Sequence, residues 1–175
     1  MKPTIILLSI ITLFTCIVSC DMNLSDTKRT VPESIGSENN IIVVTDSSIW
    51  AGGIKTLLSD NFEKNYPVLN QPEPYYKLLD IKYIELNSLL KRSKIIFFIA
   101  DLSKKSRLSE FVLQAIGEKG LNKLSENEGY YSLSVKNYWS KPQLIVFCAA
   151  KSNKELMAGL KKEQTGLFNK VNQFE

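Results

Sequence analysis

No histidine occurs anywhere in the 175 residues. That absence removes Ser-His-Asp and Cys-His nucleophilic catalysis, histidine-containing zinc sites and any histidine-based pH switch. Cysteine is nearly as scarce, with Cys16, Cys20 and Cys148 the whole set. Cys16 falls in an apolar leader and Cys20 is the expected lipid acceptor, so Cys148 is left alone and an internal disulfide is excluded. Cys148 sits in an apolar run, where a thiol serves as a small hydrophobe rather than a nucleophile. Gly-rich phosphate loops are missing too: neither the dinucleotide pattern nor GxxxxGK[ST] is present. Charge of one sign is barely in excess, 22 Lys+Arg against 18 Asp+Glu for a net +4. The basic groups Lys91, Arg92, Lys94 and Lys104, Lys105, Arg107 are not interleaved with aromatics, so they read as solvated turns and predict no nucleic-acid partner.

The N-terminus carries the strongest positive signal. Met1-Lys2 is a short basic n-region, Ile5 to Phe14 an apolar h-region relieved by Ser9 and Thr12, and Ile17-Val18-Ser19-Cys20 follows at processing distance. The apolar stretch is short against the roughly 20 residues a membrane-crossing helix needs. IVSC resembles the lipobox of a bacterial lipoprotein, which implies cleavage before Cys20 and acylation of its thiol. Cys16 is the poorer candidate, because Leu13-Phe14-Thr15 puts bulk where small residues are wanted. At about 0.8 kcal/mol per buried methylene, acyl chains would hold the mature protein on a leaflet. The expected organisation is a signal peptide over 1–19, a lipidated N-terminus and polar tether over 20–40, and one globular domain over 41–175. The expected location is the cell envelope, on the periplasmic or exposed face of the outer membrane.

Within the domain, Ile41 to Thr45 is a continuous β-favouring run suited to a buried strand. Trp50, Ile54, Leu57, Leu58 and Phe62 then recur at helical spacing and predict a helix with Trp50 in the core. A loop with Pro67, Pro72 and Pro74 leads to a second strand over Leu78 to Ile84 and a helical turn over Asn87 to Leu90. Ile95 to Ala100 is a third strand, and Leu108, Phe111, Val112, Ala115 and Ile116 begin a helix bent or stopped at Gly117 and Gly120. Tyr130 to Val135 is either a strand or an irregular cover, and Leu144 to Ala150 a further strand. Leu156, Met157, Leu160, Leu167, Phe168 and Val171 mark a last helix over Asn153 to Asn172, about 30 Å long. That length predicts packing against something outside the chain, such as an envelope protein. The order implies an α/β (or α+β) domain with a small open sheet of four to five strands flanked by helices, read as an incomplete version of a larger domain.

Two strands end in an acid, VVTD at Asp46 and FIAD at Asp101. Carboxyl ends of parallel strands form the usual ligand crevice, where two such acids are able to hold a hard cation such as Mg²⁺. Glu73, stiffened between Pro72 and Pro74, is a third acid. The blander role comes first: Asp46-Ser47-Ser48 offers three neighbouring candidates for one helix N-cap. Asp46, Asp101 and Glu73 are therefore the only catalytic candidates, and no cofactor or metal is required.

Ser34-Ile35-Gly36 followed by Asn39 or Asn40, the IIVVTD strand, Trp50 with Gly52 or Gly53, and Asn70-Gln71-Pro72-Glu73-Pro74 resemble an uncharacterised Bacteroidota lipoprotein family, domain of unknown function 4837. The chain departs from that pattern at Asn40, where Glu is common, at Asn70, where Pro is common, and at Arg92-Ser93-Lys94-Ile95, where the family has a compact Arg-Asn-Ile. The resemblance implies an envelope lipoprotein with no assigned activity and implies that this chain is a shortened member. The expected function is a membrane-anchored, non-enzymatic binding or structural module, with a metal-assisted hydrolase as the alternative.

Overall fold

The computed structural model describes residues 40–62, 76–126 and 129–174. All belong to one of the two units into which the chain divides, Val31–Glu175. Cys20, Glu73 and the NQPEP segment lie outside the described residues, as do the leader and all of the tether except Asn40.

The strands β1 (Asn40–Val44), β2 (Lys77–Ile81), β3 (Ile95–Asp101), β4 (Tyr130–Lys136) and β5 (Leu144–Ala150) form one open sheet in the order β2-β1-β3-β5-β4. β1, β2, β3 and β5 are parallel, while β4 runs antiparallel to β5 at one edge. The uninterrupted apolar runs of β1, β3 and β5 follow from this placement. Successive side chains point to opposite faces, and both faces are covered. Ile41, Val43, Phe97, Ile99, Val146 and Cys148 belong to one buried cluster, whereas Ile42, Val44, Phe98, Phe147 and Ala149 belong to the other.

The first face is covered by α1 (Ser47–Ile49), a π-helical turn (Trp50–Ile54), α2 (Lys55–Phe62) and α4 (Asn153–Asn172). The second is covered by α3 (Arg107–Glu126) and by 3-10 turns at Tyr83–Glu85 and Leu90–Arg92. This is an α/β sandwich, and the purely antiparallel α+β reading falls away.

Three details differ from expectation. Trp50 is only half-buried at the cluster margin, and Ile49 takes the core position. The cause is a kink at Gly53, where φ is 106°, so no single helical repeat runs from Trp50 to Phe62. The second strand stops at Ile81, and Ile84 lies 77% exposed in a 3-10 turn. The last helix spans Asn153–Asn172 as expected, but its buried side chains Leu156, Leu160, Leu167 and Val171 join the first cluster of this same domain. One face of the helix is thus packed on the chain's own sheet and α2.

α4 has a spacing that marks its start, Ser152-x-x-Glu155. The Ser152 hydroxyl accepts from the Glu155 N–H at 3.3 Å and donates to the Glu155 carboxylate at 2.8 Å. α3 breaks at Gly117, where φ is 58° and ψ is −168°.

Candidate functional site

The strand order reverses beside β1, since β2 lies on one side of it and β3 on the other. A reversal of this kind opens a crevice at the carboxyl ends of the two central strands. Ile41 pairs with Ile95 and Val44 with Phe98, a register that sets Asp46 alongside Ala100, one residue short of Asp101. Both sequence-predicted acids of the described chain therefore reach the same edge. Across them, Lys104 Nζ donates to Ser48 Oγ at 2.5 Å and links the loop after β3 to the start of α1.

The two acids are in different states. Asp101 is 3% exposed, and its Oδ1 accepts from the Ser103 N–H at 3.0 Å and the Ser103 hydroxyl at 2.7 Å. Its carbonyl accepts from the Ser109 hydroxyl at 3.0 Å, which ties α3 to the strand end. That carboxylate is engaged by its own loop. Asp46 occupies the N-cap position, with its carbonyl accepting from Ile49 and Trp50, but its side chain makes no cap bond. This corrects the capping expectation: Asp46 Oδ2 is buried with no hydrogen-bond partner. The other such atom among the described residues is Asn153 Oδ1, at the start of α4 on the same edge and face. Asn153 Nδ2 lies 3.5 Å from where a Cβ on Gly52 would stand, so the start of α4 packs on the π-turn that follows Asp46. An uncompensated buried acceptor costs about 1–3 kcal/mol, and its survival at this strand edge needs an explanation.

Two further placements complete the edge. Thr45 Oγ1 donates to Asp80 Oδ1 at 3.0 Å. Burial nevertheless raises the Asp80 carboxyl above its ordinary value, with the Thr45 bond opposing the rise. Among the described residues no group of three His, Cys, Asp or Glu side chains is arranged to hold a metal ion.

A second polar constellation, missed by sequence reasoning, lies between β4 and α4. Glu163 accepts from the Tyr130 hydroxyl at 2.9 Å, the Ser132 hydroxyl at 2.7 Å and Lys170 Nζ at 3.2 Å. A groove of about 490 Å³ opens beside it, lined by Tyr130, Ser132, Glu126, Glu155 and Lys162 among others. Burial, with Cys148 and Glu163 adjacent, pushes the Tyr130 hydroxyl far above its ordinary value. Burial likewise pushes the Cys148 thiol up to about 12, which makes it inert at neutral pH. The available signal was Gly159, a glycine inside a helix: a Cβ there would stand 2.0 Å from the Tyr130 ring. Such a glycine marks close approach of another element.

The fold and edge define the class: an open α/β domain of the doubly wound kind, with the polar side chains Asp46, Ser48, Asp101 and Lys104 at the carboxyl edge of its switch point. The family model of a domain of unknown function, DUF8532, matches residues 34–175, and the chain belongs to that family. No curated protein and no solved structure matches it. The assignment overturns the resemblance to domain of unknown function 4837, and nothing points to a Bacteroidota origin. A buried strand followed by a helix recurs in parallel α/β domains generally, so IIVVTD with Trp50 discriminated poorly, and the Asn70-Gln71-Pro72-Glu73-Pro74 segment was too short to decide the family. The reading of the chain as a shortened member of that particular family goes with the resemblance.

Proposed function

We propose that this chain is an envelope lipoprotein, held at a membrane through acylated Cys20, whose α/β domain is a non-enzymatic binding module. Its ligand site is the carboxyl-edge crevice, and the observation that carries this reading is the buried, unpartnered Asp46 Oδ2. Asp46 offers an acceptor to an N–H or O–H donor, while Ser48 and Lys104 offer donors across the crevice. A small polar ligand carrying both kinds of group fits that chemistry. The alternative of a metal-assisted hydrolase built on Asp46, Asp101 and Glu73 draws less support, because the Asp101 carboxylate is already engaged by Ser103.

Asp46→Ala tests the site. An N-cap that works through its side chain loses about 1 kcal/mol on such a change, whereas relief of an orphaned buried acceptor leaves stability unchanged or raised. The expected result is an unaltered or higher unfolding midpoint, together with loss of the thermal shift given by responsive members of a panel of sugars, amino acids, nucleotides and divalent cations. A lowered midpoint with ligand responses intact would sink the proposal. For the anchor, Cys20→Ser is expected to move the protein from the membrane fraction to the soluble fraction; firm retention on membranes refutes it.

A further inference from the structure

Opposite the carboxyl edge lies the edge where the parallel strands begin. The register sets Lys77 beside Asn40, Ile41 beside Ile95, Ile95 beside Leu144 and Leu144 beside Lys136. The chain that comes from Cys20 joins the domain here, through Asn40. Two connections border this edge, residues 86–94 leading into β3 and 137–143 leading into β5. They are built as one platform. The buried Gln143 amide donates to the Lys91 and Ser93 carbonyls at 2.7 and 2.8 Å, its Oε1 accepts from the Trp139 N–H at 2.8 Å, and the Ser140 hydroxyl donates to the Arg92 carbonyl at 3.4 Å. Lys91 Nζ lies 5.3 Å over the Trp139 ring, which Tyr138 meets edge-on at 5.0 Å.

The platform is basic. Residues 86–94 and 136–143 hold Lys91, Arg92, Lys94, Lys136 and Lys141 and no Asp or Glu, and exposed Lys77 stands at the start of β2. Among the described residues Lys91, Lys94, Lys136 and Lys141 form no ion pair. Lys136 Nζ lies 5.9 Å over the Phe174 ring, a contact that leaves its charge in place. α2 and α4 also end at this edge, since Tyr76 meets the Phe62 ring at 6.0 Å and donates to Asn172 Oδ1 at 3.2 Å. They bring Asp60 and the Lys170–Glu163 pair, so the balance stays with the lysines. Two large apolar side chains stand out among these charges, Leu89 at 57% and Tyr138 at 43% exposure. Exposed apolar tips ringed by lysines fit the boundary between lipid headgroups and acyl chains.

We propose that this platform is a membrane-docking surface for anionic lipid headgroups, which lays the domain on the leaflet with Leu89 and Tyr138 in the interface. The inference rests on the reading of the chain as held at a membrane, and adds to it an orientation. The acyl anchor supplies proximity, and the lysines decide which edge faces down. Each lysine close to an anionic surface strengthens the attraction about fivefold, and salt screens it beyond about 10 Å at 0.1 M. In this orientation the edge that carries Asp46 and Asp101 faces away from the leaflet, open to whatever it binds.

The test uses the full chain reconstituted with vesicles of phosphatidylcholine alone, or of phosphatidylcholine and phosphatidylglycerol in equal parts. An amine-reactive reagent, read by mass spectrometry, reports each lysine. Lys91, Lys94, Lys136 and Lys141 are expected to react about threefold or more slowly on the anionic vesicles, with the difference lost near about 0.5 M salt. Exposed Lys105 and Lys154, at the opposite edge, are expected to react equally on both. Lys136→Glu with Lys141→Glu, both at exposed positions, is expected to erase the difference at Lys91 and Lys94 with circular dichroism unchanged; should that pair fail to fold, Lys136→Gln with Lys141→Gln is expected to halve it or more. Flotation on phosphatidylcholine alone reads the anchor separately. A chain that fails to float there, yet shows the protection on anionic vesicles, overturns the anchor and upholds the docking surface. A chain that floats while the four lysines react alike on both lipids, or while Lys105 and Lys154 are protected as strongly, overturns the docking surface and leaves the anchor standing. Protection by polyglutamate but not by vesicles also overturns it, since the platform would then take an acidic polypeptide.

Discussion

Gly159→Ala is a substitution that helix propensity alone would favour. In an exposed helix interior it gains about 1 kcal/mol, yet here the new methyl would stand 2.0 Å from Tyr130 Cγ and 2.3 and 2.5 Å from the Cδ atoms. These are the ring atoms nearest the β4 backbone, so no flexible tip is available to swing aside. α4 and β4 would have to part by more than an ångström. Overpacking of this kind costs about 1–3 kcal/mol, and displacing the ring also strains the Tyr130 bond to Glu163, worth about 1 kcal/mol. Set against the propensity gain, the net loss is about 2 kcal/mol, or about 6 °C in Tm for a domain of this size. Gly166→Ala in the same helix is the internal control, because its nearest neighbour would be Glu163 Cγ at 3.7 Å; it is expected to stabilise by about 0.5–1 kcal/mol. Urea unfolding of both variants measures the contrast. In a Tyr130→Ala background the ring is gone, and Gly159→Ala is expected to change sign and stabilise. A Gly159→Ala variant as stable as the parent would refute the close-packing argument.

Three other outcomes follow from the same structure. Gly117→Ala meets nothing within 4 Å, yet its φ of 58° with ψ −168° lies in a region open essentially to glycine, so a loss of about 1–3 kcal/mol on urea unfolding is expected. Gln143 is fully buried; its amide donates to the Lys91 and Ser93 carbonyls at 2.7 and 2.8 Å, and its Oε1 accepts from the Trp139 N–H at 2.8 Å. Gln143→Ala strands all three groups and is expected to cost about 3–5 kcal/mol in the same assay. The Cys148 thiol, ordinarily near 9.0 and raised to about 12, keeps its proton in the native state over a window where the unfolded chain loses it. Stability is therefore complete below pH 9 and falls as pH rises towards 12, by up to about 4 kcal/mol from this group, and Cys148→Ala is expected to flatten that part of the pH–stability profile.

The strands and long helices were legible because burial writes itself into runs and periods. Ile95 to Ala100 and Leu144 to Ala150 read as continuous apolar stretches, being covered on both faces, and the helical period placed α4 over Asn153 to Asn172. Trp50 misled because a helical wheel assumes one repeat, and the paired Gly52 and Gly53 hinted at curvature without saying where the kink at Gly53 would fall. The edge location of Asp46 and Asp101 was also legible. Their bonding was not: whether a carboxylate folds back onto Ser103 or is left unpartnered depends on the path of a loop a few residues long. The Glu163 constellation escaped for another reason. Tyr130 and Glu163 are 33 positions apart, and only the glycine that lets β4 and α4 touch hints at their meeting.

The break in α3 decides a matter of direction. α3 leaves the carboxyl end of β3, and β4 begins at Tyr130 opposite Ala150, the carboxyl end of β5, so the connection starts and finishes at one edge. A straight helix of twenty residues would travel about 30 Å and deliver the chain to the opposite edge, entering β4 in parallel. The reversal at Gly117 folds the path back on itself, and the polarity of the edge strand follows from one residue's torsion angles.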